Sequence, residues 1–276
     1  MRVALNQSCF PGLTPARFVE VAAAAGAATV DLRPLDPAET PRALVAAVRS
    51  SGLPVGAIHA LMDWALPDDP DPRPALDALL EVAVATGAPL IICVAPLRPA
   101  ELPPSGVIAR SAAERLAAMA EVARDAGVRL ALEQVGRSSS RPKSLSGIRR
   151  LADAARIATA AGADVVLAVD SYNLATADEG FDEIMRVPAA RIGVAHVADR
   201  DAARGVRVLP GLGDLDLDLF AHMLARSGYE GALSLEIFPT APWPDPLAVA
   251  RQAVADLRRL IEQGGAEDHT RADTHR

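Results

Sequence analysis

The segments VRLALEQV (128–135), VVLAVD (165–170), RIGVAHV (191–197) and ALSLEIF (232–238) share one design. Each is a short run of small and branched apolar residues with a carboxylate or imidazole at or near its C-terminal end. Runs of this length and composition read as buried strands. Toward the N-terminus four more short apolar runs appear, VALN (3–6), TVDLR (29–33), VGAIHAL (55–61) and PLIICVA (89–95). The eight starts lie roughly 26–40 residues apart, the spacing of a strand, a helix and two loops.

The intervening stretches carry helix punctuation. Thr14-Pro15 and Thr40-Pro41 each offer a capping hydroxyl followed by proline at the first helical position. Gly26, Gly52, Gly87, Gly127, Gly162 and Gly228 stand where helices should stop before the next run. From about Ser111 to Ala126, Leu116, Met119, Ala120 and Ala123 recur at helical spacing. Strand then helix, eight times over, predicts parallel pairing with right-handed crossovers, and eight such units close into a (β/α)8 TIM barrel. The competitor is an open doubly wound sheet, which would show a phosphate-binding glycine loop after its first strand; Asn6-Gln7-Ser8-Cys9-Phe10-Pro11-Gly12 has none. The barrel is expected to occupy 1–263 as a single domain. Residues 264–276, which offer almost nothing to bury, are expected to form a disordered tail.

Composition narrows the function. The chain has 276 residues, of which 50% are hydrophobic, and a net charge of −7. That supports a substantial core and gives no basic surface for nucleic acid. No apolar run reaches the ~18–20 residues of a membrane span, and the N-terminus turns polar too early for a signal-peptide core. Cys9 and Cys93 make neither a disulfide framework nor a zinc pair. The expectation is a reduced cytoplasmic protein. Lys143 is the sole lysine and sits in a loop-like segment, which argues against Schiff-base chemistry.

In a barrel, catalytic groups project from the C-terminal ends of the strands. Those ends are Glu133, Asp170, His196 and Glu236 on strands five to eight. Two positions earlier, on the same side of the pleat, stand Ala131, Ala168, Val194 and Ser234. These are mostly small, so they leave room at the barrel mouth. Three carboxylates and one imidazole suit a single divalent cation, Mn2+, Mg2+ or Co2+, with Zn2+ a further option. Without a cation the carboxylates would repel one another.

LALEQVG (130–136), VVLAVDSYN (165–173), GVAHVADRD (193–201), PGLGDLD (210–216) and GYEGALSLEIF (228–238) resemble the xylose-isomerase-like TIM barrels, in particular the sugar-phosphate isomerase/epimerase group. That group includes ketose 3-epimerases, hydroxypyruvate isomerases, inosose isomerases and dehydratases, 3-dehydroshikimate dehydratases and, more remotely, endonuclease IV. The resemblance implies metal ligation by Glu133, Asp170, His196 and Glu236. It also implies that Glu133 and Glu236 act as the acid/base pair on opposite faces of a substrate carbon. The substrate it implies is a polyol or keto-sugar, and the assembly a homo-oligomer. Many members carry Asp-x-x-His on strand six; this chain has Asp170-Ser171-Tyr172-Asn173. Asn173 can hydrogen-bond a substrate oxygen but cannot carry charge.

Further substrate-binding candidates are His59 at the end of strand three and Arg33 at the end of strand two, whose fork suits a carboxylate or phosphate. Arg200 and Asp199 follow His196, with Asp199 a candidate partner for the imidazole. Arg137, Arg141 and Lys143 make the loop after Glu133 basic, which suits an anionic substrate. Trp64, Trp243 and Phe238 are candidate walls for a sugar ring, and His222 reads as a helix packing or surface residue. The function expected is a metal-dependent isomerase or epimerase that abstracts a proton beside a carbonyl, with a dehydratase of the inosose or 3-dehydroshikimate type as the alternative. An endonuclease-IV-like nuclease conflicts with the acidic charge and the three histidines outside the tail. A non-catalytic barrel would not need both glutamates.

Overall fold

A computed structural model of the chain describes residues 1–33, 41–99, 101–141 and 143–272. Eight parallel strands close into a barrel, and each pairs with its neighbours in chain order until the last meets the first. In the first half β1 (Arg2–Asn6), β2 (Thr29–Leu32), β3 (Val55–Leu61) and β4 (Leu90–Val94) alternate with α1 (Pro15–Ala25), α2 (Pro41–Ser51), α3 (Arg73–Thr86) and α4 (Ser105–Asp125). The second half continues with β5 (Arg129–Glu133), β6 (Val165–Asp170), β7 (Ile192–Val197) and β8 (Ala232–Leu235). Its helices are α5 (Leu151–Ala161), the short α6 (Ser171–Thr176), α7 (Leu217–Arg226) and α8 (Pro246–Ala272). All eight sequence runs are barrel strands. Closure is set by the pairs Arg2↔Ala232 to Leu5↔Leu235.

Two apolar compartments follow from the two-residue side-chain period. The larger lies between strands and helices and holds Leu5, Phe18, Ile91, Leu130, Leu167 and Phe220 among many others. The smaller fills the barrel lumen with Ala57, Leu90, Ile92, Ala131, Val166, Ala168 and Val194. The predicted small residues beneath the strand ends are therefore in place.

Local punctuation behaves as its chemistry requires. Thr14 Oγ1 accepts from Arg17 N at 3.3 Å and caps α1, while the Thr40 cap lies outside the described residues. Gly26 and Gly87 close α1 and α3 with φ of 81° and 73°, a region costly for any residue with a Cβ. The end of the chain differs from expectation, because α8 runs on past Gln263 to Ala272. Gly264 is buried where α8 meets α7, and a Cβ there would fall 2.8 Å from the Ala221 carbonyl carbon. The glycine read as the start of a tail is thus a close-approach site. His222 packs at the same place, its Nδ1 3.3 Å from Gly264 O.

Trp64 is a correction. Expected as a wall of the site, it is fully buried in the core, and its Nε1 donates to Val94 O at 2.8 Å. It ties the loop after β3 to the end of β4. Trp64→Phe should therefore lower unfolding free energy by ~1 kcal/mol, the worth of one buried hydrogen bond, and leave the KM for any substrate of the barrel mouth unchanged. Denaturant titration and steady-state kinetics check the two halves.

Candidate active site

The predicted quartet converges. One donor atom from each of Glu133, Asp170, His196 and Glu236 lies within 4.8 Å of the others, and all four residues are buried. Strand register explains the convergence: Asp170 pairs with His196, and His196 pairs with Ser234, two residues before Glu236. Glu236 stands just past β8, its N–H donating to Val197 O at 3.0 Å. Asp170 also caps α6, with Oδ1 accepting from Asn173 N at 2.6 Å. The DSYN segment thus starts a helix at the residue whose other oxygen faces the cluster.

A cavity of about 320 Å³ opens above these groups. Glu133, Glu236, His59, Asn173 and Arg33 line it, as do Arg141 and Phe238. Trp243, Arg200 and Asp199 do other work. Trp243 Nε1 donates to Cys9 O at 2.7 Å. Cys9 Sγ in turn bonds Leu235 O and Ile237 N at 3.2 and 3.3 Å, bracing the backbone on both sides of Glu236. Arg200 makes a two-point contact with Asp214 at 3.0 and 2.8 Å. Asp199 does not meet His196; its carboxylate accepts from the backbone N–H groups of Arg200, Gly211, Gly213 and Leu215. The PGLGDLD segment is folded around that one carboxylate.

Three participants were missed from the sequence. Arg207, on a short antiparallel ribbon of Asp199–Asp201 with Val206–Val208, places Nη1 2.6 Å from Asp170 Oδ2 and 3.2 Å from Glu236 Oε2. Its guanidinium lies 4.8 Å from the Tyr172 ring centroid and 5.4 Å from that of Phe238. An arginine between two valines was the available signal. Asn6, at the end of β1, sets Nδ2 3.1 Å from His59 Nε2 and donates to Glu236 Oε1 at 3.4 Å. Asp31 lies in β2, its Oδ2 accepting from Ser234 Oγ at 2.5 Å and standing 3.8 Å from His196 Nε2.

The electrostatics follow from burial and charge. Burial alone would lower the His196 imidazole, but Glu236, Glu133 and Asp31 outweigh it and push it up to about 10. Its Nδ1 is 3.1 Å from Glu133 Oε1. Burial, then the Glu133 charge, raises Glu236, against the pull of His196 and Arg207. Burial raises Asp31 as well. His59 moves the other way, held well below its ordinary value by burial and by the charges of His196, Arg33 and Arg207. A neutral His59 accepting from Asn6 carries its proton on Nδ1, 3.5 Å from Glu236 Oε1.

Three carboxylates and an imidazole are a donor set that fits a divalent cation. The buried, unpartnered Asn173 Oδ1 adds a polar atom beside it with nothing in the chain to satisfy it. Among the described residues no helix is long and apolar enough to cross a membrane.

Comparison with known proteins agrees with this architecture. An inosose isomerase of Halalkalibacterium halodurans is 28% identical over 167 residues, covering 58% of this chain and 57% of that protein. The match thus spans little over half the length of that relative. An L-ribulose 3-epimerase structure superposes with a TM-score of 0.83 at 20% identity, covering 100% of this chain and 99% of the other. A structure described as IOLI protein with a binding zinc atom gives 0.80 at 19% identity, with 97% and 99% covered. At these identities the two structures establish the shared fold. The family model described as xylose isomerase-like TIM barrel matches residues 19–260, and the chain belongs to that family.

Proposed function

We propose that this protein is an isomerase or epimerase of a keto-sugar, sugar acid or inositol-type polyol. It uses one divalent cation and moves a proton at the carbon beside a carbonyl. The observation that carries this reading is the pair Glu133 and Glu236, two buried carboxyls that open onto one cavity from β5 and β8. Raised by burial and by its neighbour, Glu236 keeps its proton to higher pH than an exposed glutamate, the tuning expected of an acid/base partner. The inosose isomerase relative and the epimerase of the same fold support the reading.

Glu133, Asp170, His196 and Glu236 would hold the cation, which when bound polarises a carbonyl and its neighbouring hydroxyl and so acidifies the C–H between them. One glutamate accepts that proton and the other returns one from the opposite face. Arg207 holds Asp170 and Glu236 in place, clamped between Tyr172 and Phe238. Asn6 and His59 fix the rotamer of Glu236 from the far side, and Asn173 Oδ1 is free to meet a substrate hydroxyl.

NMR of the Mn2+-loaded protein in D2O with ketoses, inososes and 3-dehydroshikimate tests this. Deuterium beside the carbonyl with every oxygen retained is the expected result, and loss of a hydroxyl assigns dehydratase chemistry instead. Absence of exchange with metal bound rules the proposal out. Glu133→Gln and Glu236→Gln should each cut the exchange rate by at least ~10²-fold, the share typical of a positioned acid or base.

Metal uptake should depend on pH with a definite sign. In the free protein His196 holds a proton up to about pH 10, and ligation requires the neutral ring, so binding expels that proton. Apparent Mn2+ affinity should therefore rise with pH below that value, by up to ~tenfold per unit for one displaced proton. Calorimetry in buffers of different ionisation enthalpy measures the released proton directly.

A further inference from the structure

The rim of the cavity carries two guanidinium groups that make no ion pair among the described residues. On the floor the carboxylates are engaged, Asp170 and Glu236 with Arg207, and Glu133 with His196. On the rim, Arg33 at the end of β2 and Arg141 in the loop after β5 line the same cavity. Among the described residues neither has a carboxylate within ion-pair distance, and the only carboxylates lining the cavity are Glu133 and Glu236. The two rim arginines stand on a chain whose net charge is −7, so a general affinity for polyanions does not account for them.

The loop that presents Arg141 is anchored over the site. Gly136 packs so closely on α6 that a Cβ would fall 2.3 Å from Asn173 O. Arg137 N donates to Thr176 Oγ1 at 3.0 Å and Arg149 Nε to Gly136 O at 3.2 Å. Ser138 Oγ accepts from Arg141 N at 3.0 Å, which folds the chain back so that Ser138, Ser139, Ser140 and Arg141 all face the cavity. The Ser139 hydroxyl is shielded from solvent and has no partner. Two guanidinium forks supply the donor chemistry of an oxyanion site; hydroxyls of a neutral sugar would not require two arginines that lack a carboxylate partner among the described residues.

We propose that this rim is an oxyanion subsite. The substrate carries a carboxylate or phosphate away from its reacting carbon, and Arg33 and Arg141 hold it. The inference rests on the reading of the cavity as the active site and narrows the substrate within it.

Calorimetric titration of the Mn2+-loaded protein with D-fructose, D-fructose 6-phosphate and D-fructuronate tests it, because the three share a ketose and differ in the anion. One anionic probe is expected to bind at least roughly tenfold tighter than fructose, about 1.4 kcal/mol, and to lose that advantage in an Arg33→Gln/Arg141→Gln variant whose thermal melt is unchanged. Preference for the 6-phosphate assigns a phosphate, and preference for the uronate a carboxylate. Equal affinities, binding by none of the three, or a preference that survives the double substitution overturns the proposal. Deuterium exchange on the same probes separates the two readings. An arginine-dependent anion preference without exchange keeps the subsite and removes the proton-transfer function. Exchange without anion preference does the reverse.

Discussion

Three carboxylates brought within 4.8 Å of one another in a buried floor repel strongly, and much of the surrounding structure answers that repulsion. A low-dielectric interior magnifies it several-fold over water. Arg207 reaches in from the ribbon after β7, bonded to Asp170 and beside Glu236. It is itself buried, its charge held by the same carboxylates against the cost of desolvation. His196 is driven toward its charged form for the same reason. Burial is the first cause that raises Glu236 and Asp31 and lowers His59; the Glu133 charge adds to the shift of Glu236, and the charges of His196, Arg33 and Arg207 add to that of His59.

The scaffold keeps this arrangement rigid with few parts. Parallel register puts Asp170 beside His196 and His196 opposite Ser234, so the spacing of the cluster is inherited from the barrel. The alanines and valine beneath pack with Leu90, Ile92 and Val166 in the lumen. Loop geometry is delegated to single polar atoms. Asp199 gathers four backbone N–H groups, and Cys9 spans the two backbone groups that flank Glu236. The Cys9 thiol, pushed up to about 12 by burial, acts there as a packing group with a weak hydrogen bond and not as a nucleophile.

How far this was legible from sequence follows from what each signal depends on. Strands announce themselves by local apolar pattern, so all eight were readable, and strand-end acids inherit that legibility: Glu133, Asp170, His196 and Glu236 were named from position alone. Residues whose role depends on where a loop returns were not. Trp64 and Trp243 carry large rings that read as sugar platforms, yet both spend their indole N–H on backbone carbonyls. Arg200 and Arg207 differ by seven positions and face each other across the ribbon. Only the fold of PGLGDLD around Asp199 decides that Arg207 enters the site while Arg200 meets Asp214. Gly264 shows the converse, a residue that reads locally as a helix breaker but is required by helix contact.

The strand-six variation gains meaning in this setting. A histidine at position 173 would stand beside a cluster that already raises one imidazole strongly, and its charge would depend on the same carboxylates. Asparagine removes that coupling while preserving the helix start, because the contact to Asp170 is made by the backbone N–H and is indifferent to the side chain. The buried carbonyl oxygen of Asn173 is left without a partner, an arrangement that costs stability unless something supplies a donor. Under the proposed function, a substrate hydroxyl would do so. On the proposed reading, a neutral acceptor on the floor would take a polyol hydroxyl and the rim arginines an oxyanion, which would divide recognition along the depth of the cavity and leave the space between the two glutamates for proton transfer.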